Sequence, residues 1–172
     1  MFERGMIQLP EPWLRVTHPE LPVIVRAVVH ALELAKEEVD RWCGDLTDAQ
    51  VNARPQGIEP VVFQLRHLGR SLDRLLTYAE GKQLSNGQVE LLQSEAVGMS
   101  TREEVFAEWN AAFHNGIRRV LRFSDTDMDA PRGVGKKQLQ TTAGGILIHI
   151  ADHAQRHVGQ MITTVKMVRA SR

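Results

Sequence analysis

Apolar residues recur at intervals of three and four along four long segments of this 172-residue chain. This spacing places them on one face of an α-helix, so each segment predicts an amphipathic helix. The first three helices are predicted at residues 20–43, 61–81 and 101–123, and a long fourth helix begins at Thr141 or Thr142. No segment shows a convincing alternation of apolar and polar residues. We therefore predict an all-α fold, a four-helix bundle with short connecting helices.

The predicted helices supply the core. Their apolar stripes contain residues that we expect to be buried where the helices meet. These residues are Val25, Val28, Val29, Leu32 and Val39 in the first helix, Val61, Leu65, Leu68, Leu72 and Leu75 in the second, and Leu147, Ile150, Ala154, Val158, Met161, Ile162 and Val165 in the last.

Three connecting segments lie between the predicted helices. Thr47 precedes Gln50 by three residues, a capping-box pattern that predicts a short helical turn. The polar stretch 82–98 contains the breaker Ser85-Asn86-Gly87 and a short helical piece at 89–93. Residues 124–140 are rich in Asp, Gly and Pro, and we predict an ordinary loop there rather than a lid over a site.

The composition favours one domain with a small-molecule or protein partner. Hydrophobic residues make up 42% of the chain and charged residues 24%, which is enough for one sizeable core. The 21 basic and 21 acidic residues cancel, so the chain lacks the net charge that nucleic acid or an anionic membrane would favour. We expect an N-terminal arm at residues 1–19 and a single helical domain at residues 20–172.

Cysteine content and hydropathy lead us to expect a cytoplasmic protein. The single cysteine, Cys43, cannot form an internal disulfide, and the N-terminal residues lack the apolar core of a secretory signal. No apolar run reaches the roughly 18 residues that a membrane span requires. A lone cysteine after Trp42 fits inert packing better than an active thiol.

Three of the seven histidines lie four residues apart in HIADHAQRHVGQ, residues 149–160. On a helix, His153 and His157 are separated by roughly 40° and about 6 Å, so both can face a common point. Including His149 would spread the rings over roughly 80° and about 12 Å, too far for one coordination sphere. A third ligand should therefore come from another helix. The best candidate is His67, with His30 and His114 as competitors and His18 assigned to a turn before Pro19.

Three polar residues near these histidines are further candidates. Gln160 follows His157 by three residues, so it lies on the same helical face and is either a contact near the site or an ordinary surface residue. Gln64, one turn before His67, has the same two interpretations. Asp152 is rotated about 100° from His153 and is expected to face water. Because isolated His-x3-His pairs are common, spacing alone leaves metal binding open.

The segments FQLRHLGRSLDRLLTYAEG and GGILIHIADHAQRHVGQM resemble the DinB/YfiT-like superfamily of metalloenzymes. In that superfamily the second helix supplies one histidine, and the last long helix carries His-x3-His followed closely by Gly-Gln. The resemblance implies a four-helix bundle with up-down-down-up connectivity and a metal held by His67, His153 and His157. The family usually has Arg before Gly-Gln, where this chain has Val158. That difference affects the surroundings of the site and leaves the ligands in place.

The resemblance also implies a class of chemistry. Three imidazoles with no carboxylate leave a divalent metal its full charge and an open position, as in catalytic sites. Zinc and nickel are the leading occupants. Relatives include thiol-dependent S-transferases and isomerases, which implies a small-molecule substrate, a low-molecular-weight thiol and a homodimer. The alternatives are a metal-dependent hydrolase and a non-catalytic metal-binding or interaction protein.

Overall fold

The computed structural model describes residues 9–95 and 98–170, and most of them are helical, as predicted. The helices are α1 (Val23–Cys43), α2 (Asp48–Asn52), α3 (Val61–Ala79), α4 (Asn86–Gln93), α5 (Arg102–Leu121) and α6 (Ala143–Ala170). Two strands, β1 (Pro131–Val134) and β2 (Leu139–Thr142), precede α6. Short 3-10 turns lie at Pro12–Leu14 and Pro55–Gly57.

The long helix α6 packs against both α1 and α3, and α5 packs against the same two helices. Contacts between α6 and α1 join Gln155 to the carbonyl of Ala31 and Arg169 to the carbonyl of Trp42. Residue numbers rise together in these pairs, so α1 and α6 run parallel.

Contacts of α3 give its direction relative to α6 and α5. The α3–α6 pairs are Gln64 with His157 and Ser71 with His153, and the α3–α5 pairs are Arg70 with Glu108 and Thr77 with Arg119. Numbers fall along α6 as they rise along α3, so these two helices are antiparallel. Numbers rise together along α3 and α5, which run parallel.

The core forms where the sequence predicts it. All five apolar residues expected in α1 are buried, as are six of the seven expected in α6, where Ile162 is half-buried. In α3, Leu75 is half-buried and the neighbouring Leu76 is fully buried. Trp109 of α5, only 1% exposed, fills the space between helices.

Capping side chains set where several helices begin. The predicted capping box of Thr47 and Gln50 is confirmed at α2, and Thr101 caps α5 in the same way. The hydroxyl of Thr142 accepts a hydrogen bond from the amide of Gly145 at the start of α6. The prediction of a break at residues 85–87 is wrong, because Ser85 forms a capping box that starts α4 at Asn86. The ends of the other predicted helices lie within three residues of the observed ends.

The prediction of a loop throughout residues 124–140 is also wrong, although the fold as a whole is mostly helical. Strands β1 and β2 form an antiparallel hairpin, with Pro131 opposite Thr142 and Val134 opposite Leu139. Arg132 fastens this hairpin to the end of α3 by donating from Nε to the carbonyl of Ala79 at 2.5 Å. The strand residues are exposed or half-buried, so they lack the apolar alternation that identifies a strand in sequence.

The described part of the N-terminal arm, residues 9–19, lies on α1. The guanidinium of Arg15 binds both carboxylate oxygens of Glu37, at 2.5 and 2.7 Å. His18 contacts Glu33 at 2.9 Å. Residues 1–8, where the rest of the predicted arm falls, lie outside the described residues. The division into an arm and one domain stays a prediction.

No helix within residues 9–95 and 98–170 combines the length and the hydropathy needed to cross a membrane.

Candidate metal centre

Three histidine side chains meet where α3 faces α6. His67 comes from the middle of α3, while His153 and His157 occupy successive turns of α6. The ring centroids lie 4.3 to 5.1 Å apart. One ligand nitrogen from each ring lies within 4.8 Å of the other two. The structure therefore brings together the three histidines selected from the sequence.

Each of these imidazoles has a polar partner at Nδ1. A carboxylate or amide oxygen can only accept a hydrogen bond, and the serine hydroxyl already donates to the carbonyl of Leu68. The Nδ1 atoms therefore act as donors, which leaves Nε2 as the unprotonated nitrogen in each neutral ring. The pairs are His67 with Glu95 Oε2 at 2.7 Å, His157 with Gln64 Oε1 at 3.0 Å, and His153 with Ser71 Oγ at 3.5 Å.

The spacing of the free nitrogens fits a divalent cation. Nε2 of His67 lies 3.2 Å from Nε2 of His153. Two nitrogens bound to one tetrahedral zinc at 2.0–2.1 Å would be about 3.3 Å apart. Two unprotonated nitrogens facing each other at this distance repel unless a positive charge lies between them. The residues present thus fit a metal ion such as zinc.

Two of the three imidazoles are neutral at pH 7. Burial lowers the pKa of His153 to about 4, and the nearby His157 and His67 add to the effect. Burial together with His67 and Arg156 lowers the pKa of His157 to about 4 as well. A neutral imidazole keeps the lone pair that a metal needs, so both rings are ready to act as ligands near neutral pH.

Glu95 is a site residue that sequence reasoning missed. Its carboxylate contacts His67 through Oε2 and pairs with Arg74 through Oε1. Although burial opposes ionisation, the hydrogen bonds from His67 and Arg74 keep the pKa of Glu95 below its ordinary value. Glu95 follows α4 in a polar stretch without periodicity, so no sequence signal placed it beside His67.

The two candidate glutamines both reach the site, in different surroundings. Gln64 is buried, at 3% exposure, and its oxygen contacts His157 directly. Gln160 is exposed, and a hydrogen bond with its side chain raises the pKa of His157, against the stronger effect of burial.

The remaining histidines lie outside the cluster. His149 is about half exposed, one turn away from His153. His30 is buried and contacts the hydroxyl of Thr17 at 3.0 Å, while the exposed His114 donates to the carbonyl of Asn110. These positions agree with the structural or surface roles expected for them.

Two other candidates prove to have ordinary roles. Asp152 is exposed, as expected, and pairs with Arg156 at 2.5 Å. Cys43 is buried, and its thiol lies 3.4 Å from the sulfur of Met161. Burial raises the pKa of Cys43 to about 12, so the thiol is inert at neutral pH, as expected from sequence.

A cavity lies beside Phe63 and Glu95, two residues that contact His67. The ring of Phe63 stacks on His67 with centroids 5.6 Å apart. Phe63 and Glu95 both line a cavity of about 240 Å³, whose wall also includes Asn52 and Arg54. The three histidines are each partly exposed.

A comparison with protein families agrees with this geometry. The model of the DinB superfamily matches residues 31–161, about three quarters of the chain, and this range contains all three clustered histidines. The chain belongs to the DinB superfamily. The family resemblance seen in the helix motifs is therefore confirmed. A search of curated proteins found no match to this DinB-superfamily chain.

Proposed function

We propose that His67, His153 and His157 bind one divalent metal ion, and that the protein is a metal-dependent enzyme. The observation that carries this proposal is the convergence of three imidazoles, each with a polar partner at Nδ1 and a ligand nitrogen within 4.8 Å of the other two. Membership of the DinB superfamily supports it, because proteins of this family often bind metals.

The ligand set favours a catalytic site over a structural one. Three imidazole ligands fill three positions and leave at least one open, whereas structural zinc sites are closed by four protein ligands. The nearby carboxylate of Glu95 contacts His67 at Nδ1, the side of the ring away from the shared point. Zinc and nickel are the proposed occupants, since imidazole suits both.

The proposed reaction is thiol-dependent S-transfer or isomerisation of a small molecule. A bound divalent cation would supply Lewis acidity, lowering the pKa of a thiol or water that reaches it. The cavity beside Phe63 offers space for such a molecule, and Arg54 and Asn52 offer polar contacts along its wall. The thiol itself comes from the family resemblance, so this step is an analogy.

We extend the proposal to architecture and assembly. The helix directions, parallel for α1–α6 and α3–α5 and antiparallel for α3–α6, support an up-down-down-up four-helix bundle. We also propose that residues 20–172 form one DinB-like domain, that the protein is a homodimer, and that it is located in the cytoplasm. The balanced charge supports a small-molecule substrate rather than nucleic acid or a membrane surface.

Cobalt substitution tests the thiol step. We expect small cellular thiols to produce a sulfur-to-metal charge-transfer band in the Co(II) protein. His153→Ala should abolish this band, whereas His149→Ala, a matched change one turn away on α6, should retain it. The absence of any spectral change in fully metallated protein would overturn the thiol-dependent reaction and favour activation of water at the same site.

A further inference from the structure

Glu95 joins the histidine cluster to a buried arginine. Oε2 of Glu95 lies 2.7 Å from Nδ1 of His67, and Oε1 accepts from the guanidinium of Arg74. The side chains of Glu95 and Arg74 are only 5% and 9% exposed. Both carboxylate oxygens are therefore engaged, which fixes the orientation of the carboxylate.

The partner of His67 differs in charge from the partners of the other two histidines. His157 has a neutral amide at Nδ1, from Gln64, and His153 has a neutral hydroxyl, from Ser71. Only His67 has a carboxylate there. A charged acceptor makes a shorter and stronger hydrogen bond than a neutral one, in agreement with distances of 2.7 Å against 3.0 and 3.5 Å.

We infer that Glu95 is a positioning residue for the metal centre, and that Arg74 holds Glu95 in place. This inference rests on the proposed metal binding. The carboxylate keeps the proton of His67 on Nδ1 and fixes the ring, so that Nε2 faces the point shared with His153 and His157. It also makes His67 a more basic ligand, as carboxylates behind metal-binding histidines generally do.

A purely structural ion pair would leave two properties unchanged when the carboxylate of Glu95 is replaced. These are the metal affinity of a folded protein and the position of the proton on His67. Both can be measured without any enzyme assay. The variant Glu95→Gln keeps the size of the side chain and removes its charge. Glu90→Gln is the matched control, because Glu90 is exposed in the middle of α4 and contacts none of the three histidines in the described structure.

The first measurement is zinc affinity by competition with a chromophoric chelator. We expect Glu95→Gln to weaken zinc binding by about 10- to 100-fold, the usual effect of losing such a partner, and Glu90→Gln to leave it unchanged. Equal affinity in the wild-type protein and Glu95→Gln would overturn the inference. If the wild-type protein binds no zinc, the proposed function itself fails, which is a distinguishable result.

The second measurement is the ¹⁵N NMR spectrum of the histidine rings in the metal-free protein. We expect His67 to carry its proton on Nδ1 in the wild-type protein and in Glu90→Gln, and to lose this preference in Arg74→Met/Glu95→Ala, because alanine removes the acceptor that the amide oxygen of a glutamine would keep. An unchanged Nδ1-protonated ring in Arg74→Met/Glu95→Ala would contradict the positioning role.

A double variant keeps the test informative if Glu95→Gln folds poorly. Removing the carboxylate alone leaves the guanidinium of Arg74 buried and unpaired, which is strongly destabilising. The double variant Arg74→Met/Glu95→Gln removes both charges. We expect it to fold and to show the same weaker zinc binding, whereas wild-type affinity in this variant would overturn the inference.

Discussion

At the level of single residues, the two nitrogens of each clustered histidine have different tasks. Nδ1 binds a protein acceptor, and Nε2 faces the other rings. This arrangement fixes which ring nitrogen carries the proton, because a neutral imidazole can otherwise carry it on either nitrogen. The acceptors Glu95, Gln64 and Ser71 therefore matter to metal binding as much as the spacing of the rings.

The neutral state of His153 and His157 makes the metal-free protein sensitive to acid. Their pKa values of about 4 in the folded state lie below the ordinary value of 6.5. Between pH 6.5 and 4 the unfolded chain binds more protons than the folded one, so acid favours unfolding. With a chelator present, we expect the urea midpoint to be lower at pH 5 than at pH 7.

Substitutions at the same residues provide the control for this pH dependence. His153→Leu/His157→Leu should reduce the difference between the two midpoints, because the titrating groups are gone. His114→Ala removes an exposed histidine outside the cluster and should leave the difference as in the wild-type protein. An equal pH dependence in the wild-type protein and the leucine variant would contradict the assignment to His153 and His157.

The site was only partly predictable residue by residue. Helical spacing places His153 and His157 together, and the family motif adds His67 from a distant segment. Glu95 has no such signal, because its position depends on how the chain after α4 folds back over α3. Gln64 and Gln160 share a helical face with the histidines, yet spacing could not show that one is buried and the other exposed.

At the level of elements, α3 contacts different helices on two of its faces. One face carries His67 and its neighbours toward α6, and the other carries Gly69 toward α5. A Cβ added at Gly69 would lie 2.8 Å from the Cβ of Ala112, closer than side chains pack. The absence of a side chain at Gly69 thus lets α3 and α5 approach closely.

Two glycine substitutions should have opposite effects on stability. We expect Gly69→Ala to destabilise the fold by about 1–3 kcal/mol through overpacking against α5. Gly159→Ala on α6 meets no other atom within 4 Å, so we expect it to stabilise the protein by about 0.5–1 kcal/mol through helix propensity. Chemical denaturation measures both. Stabilisation by Gly69→Ala would show that α3 and α5 are not in close contact.

The helices that are well predicted from the sequence are those that bury one face in the core. Burial of one face of α1, α3 and α6 requires apolar residues at intervals of three and four, and this spacing is visible in the sequence. The hairpin β1–β2 is fastened by the backbone pairing of Pro131 with Thr142 and by Arg132, none of which leaves an apolar pattern. The residue types of Ser85-Asn86-Gly87 favour turns and predict a break, whereas the capping box of Ser85 starts a helix there.

For the whole molecule, the apolar core is extensive without the proposed ligands. Apolar side chains from α1, α3, α5 and α6 form one continuous buried cluster, whereas the three histidines are only partly buried. A fold of this kind does not need a metal to form, in contrast to a zinc finger.

Chelation should therefore weaken the protein without unfolding it. We expect the helical circular dichroism signal at 25 °C to stay unchanged after metal removal, while the thermal midpoint falls. Metal present at 100 times its dissociation constant adds about 2.7 kcal/mol of stability, which sets the scale of the shift. The metal-free variant His67→Ala/His153→Ala/His157→Ala serves as the control, since a chelator should not change its midpoint. Complete loss of helicity on chelation would indicate a structural metal site.

The most direct test of the account is metal stoichiometry after equilibrium dialysis against zinc. The three-histidine site predicts one zinc ion per chain in the wild-type protein and in His149→Ala, and no bound zinc in His67→Ala/His153→Ala/His157→Ala. Retention of one zinc ion by a folded triple variant, or its absence from the wild-type protein, would contradict the assignment of these histidines as the metal centre.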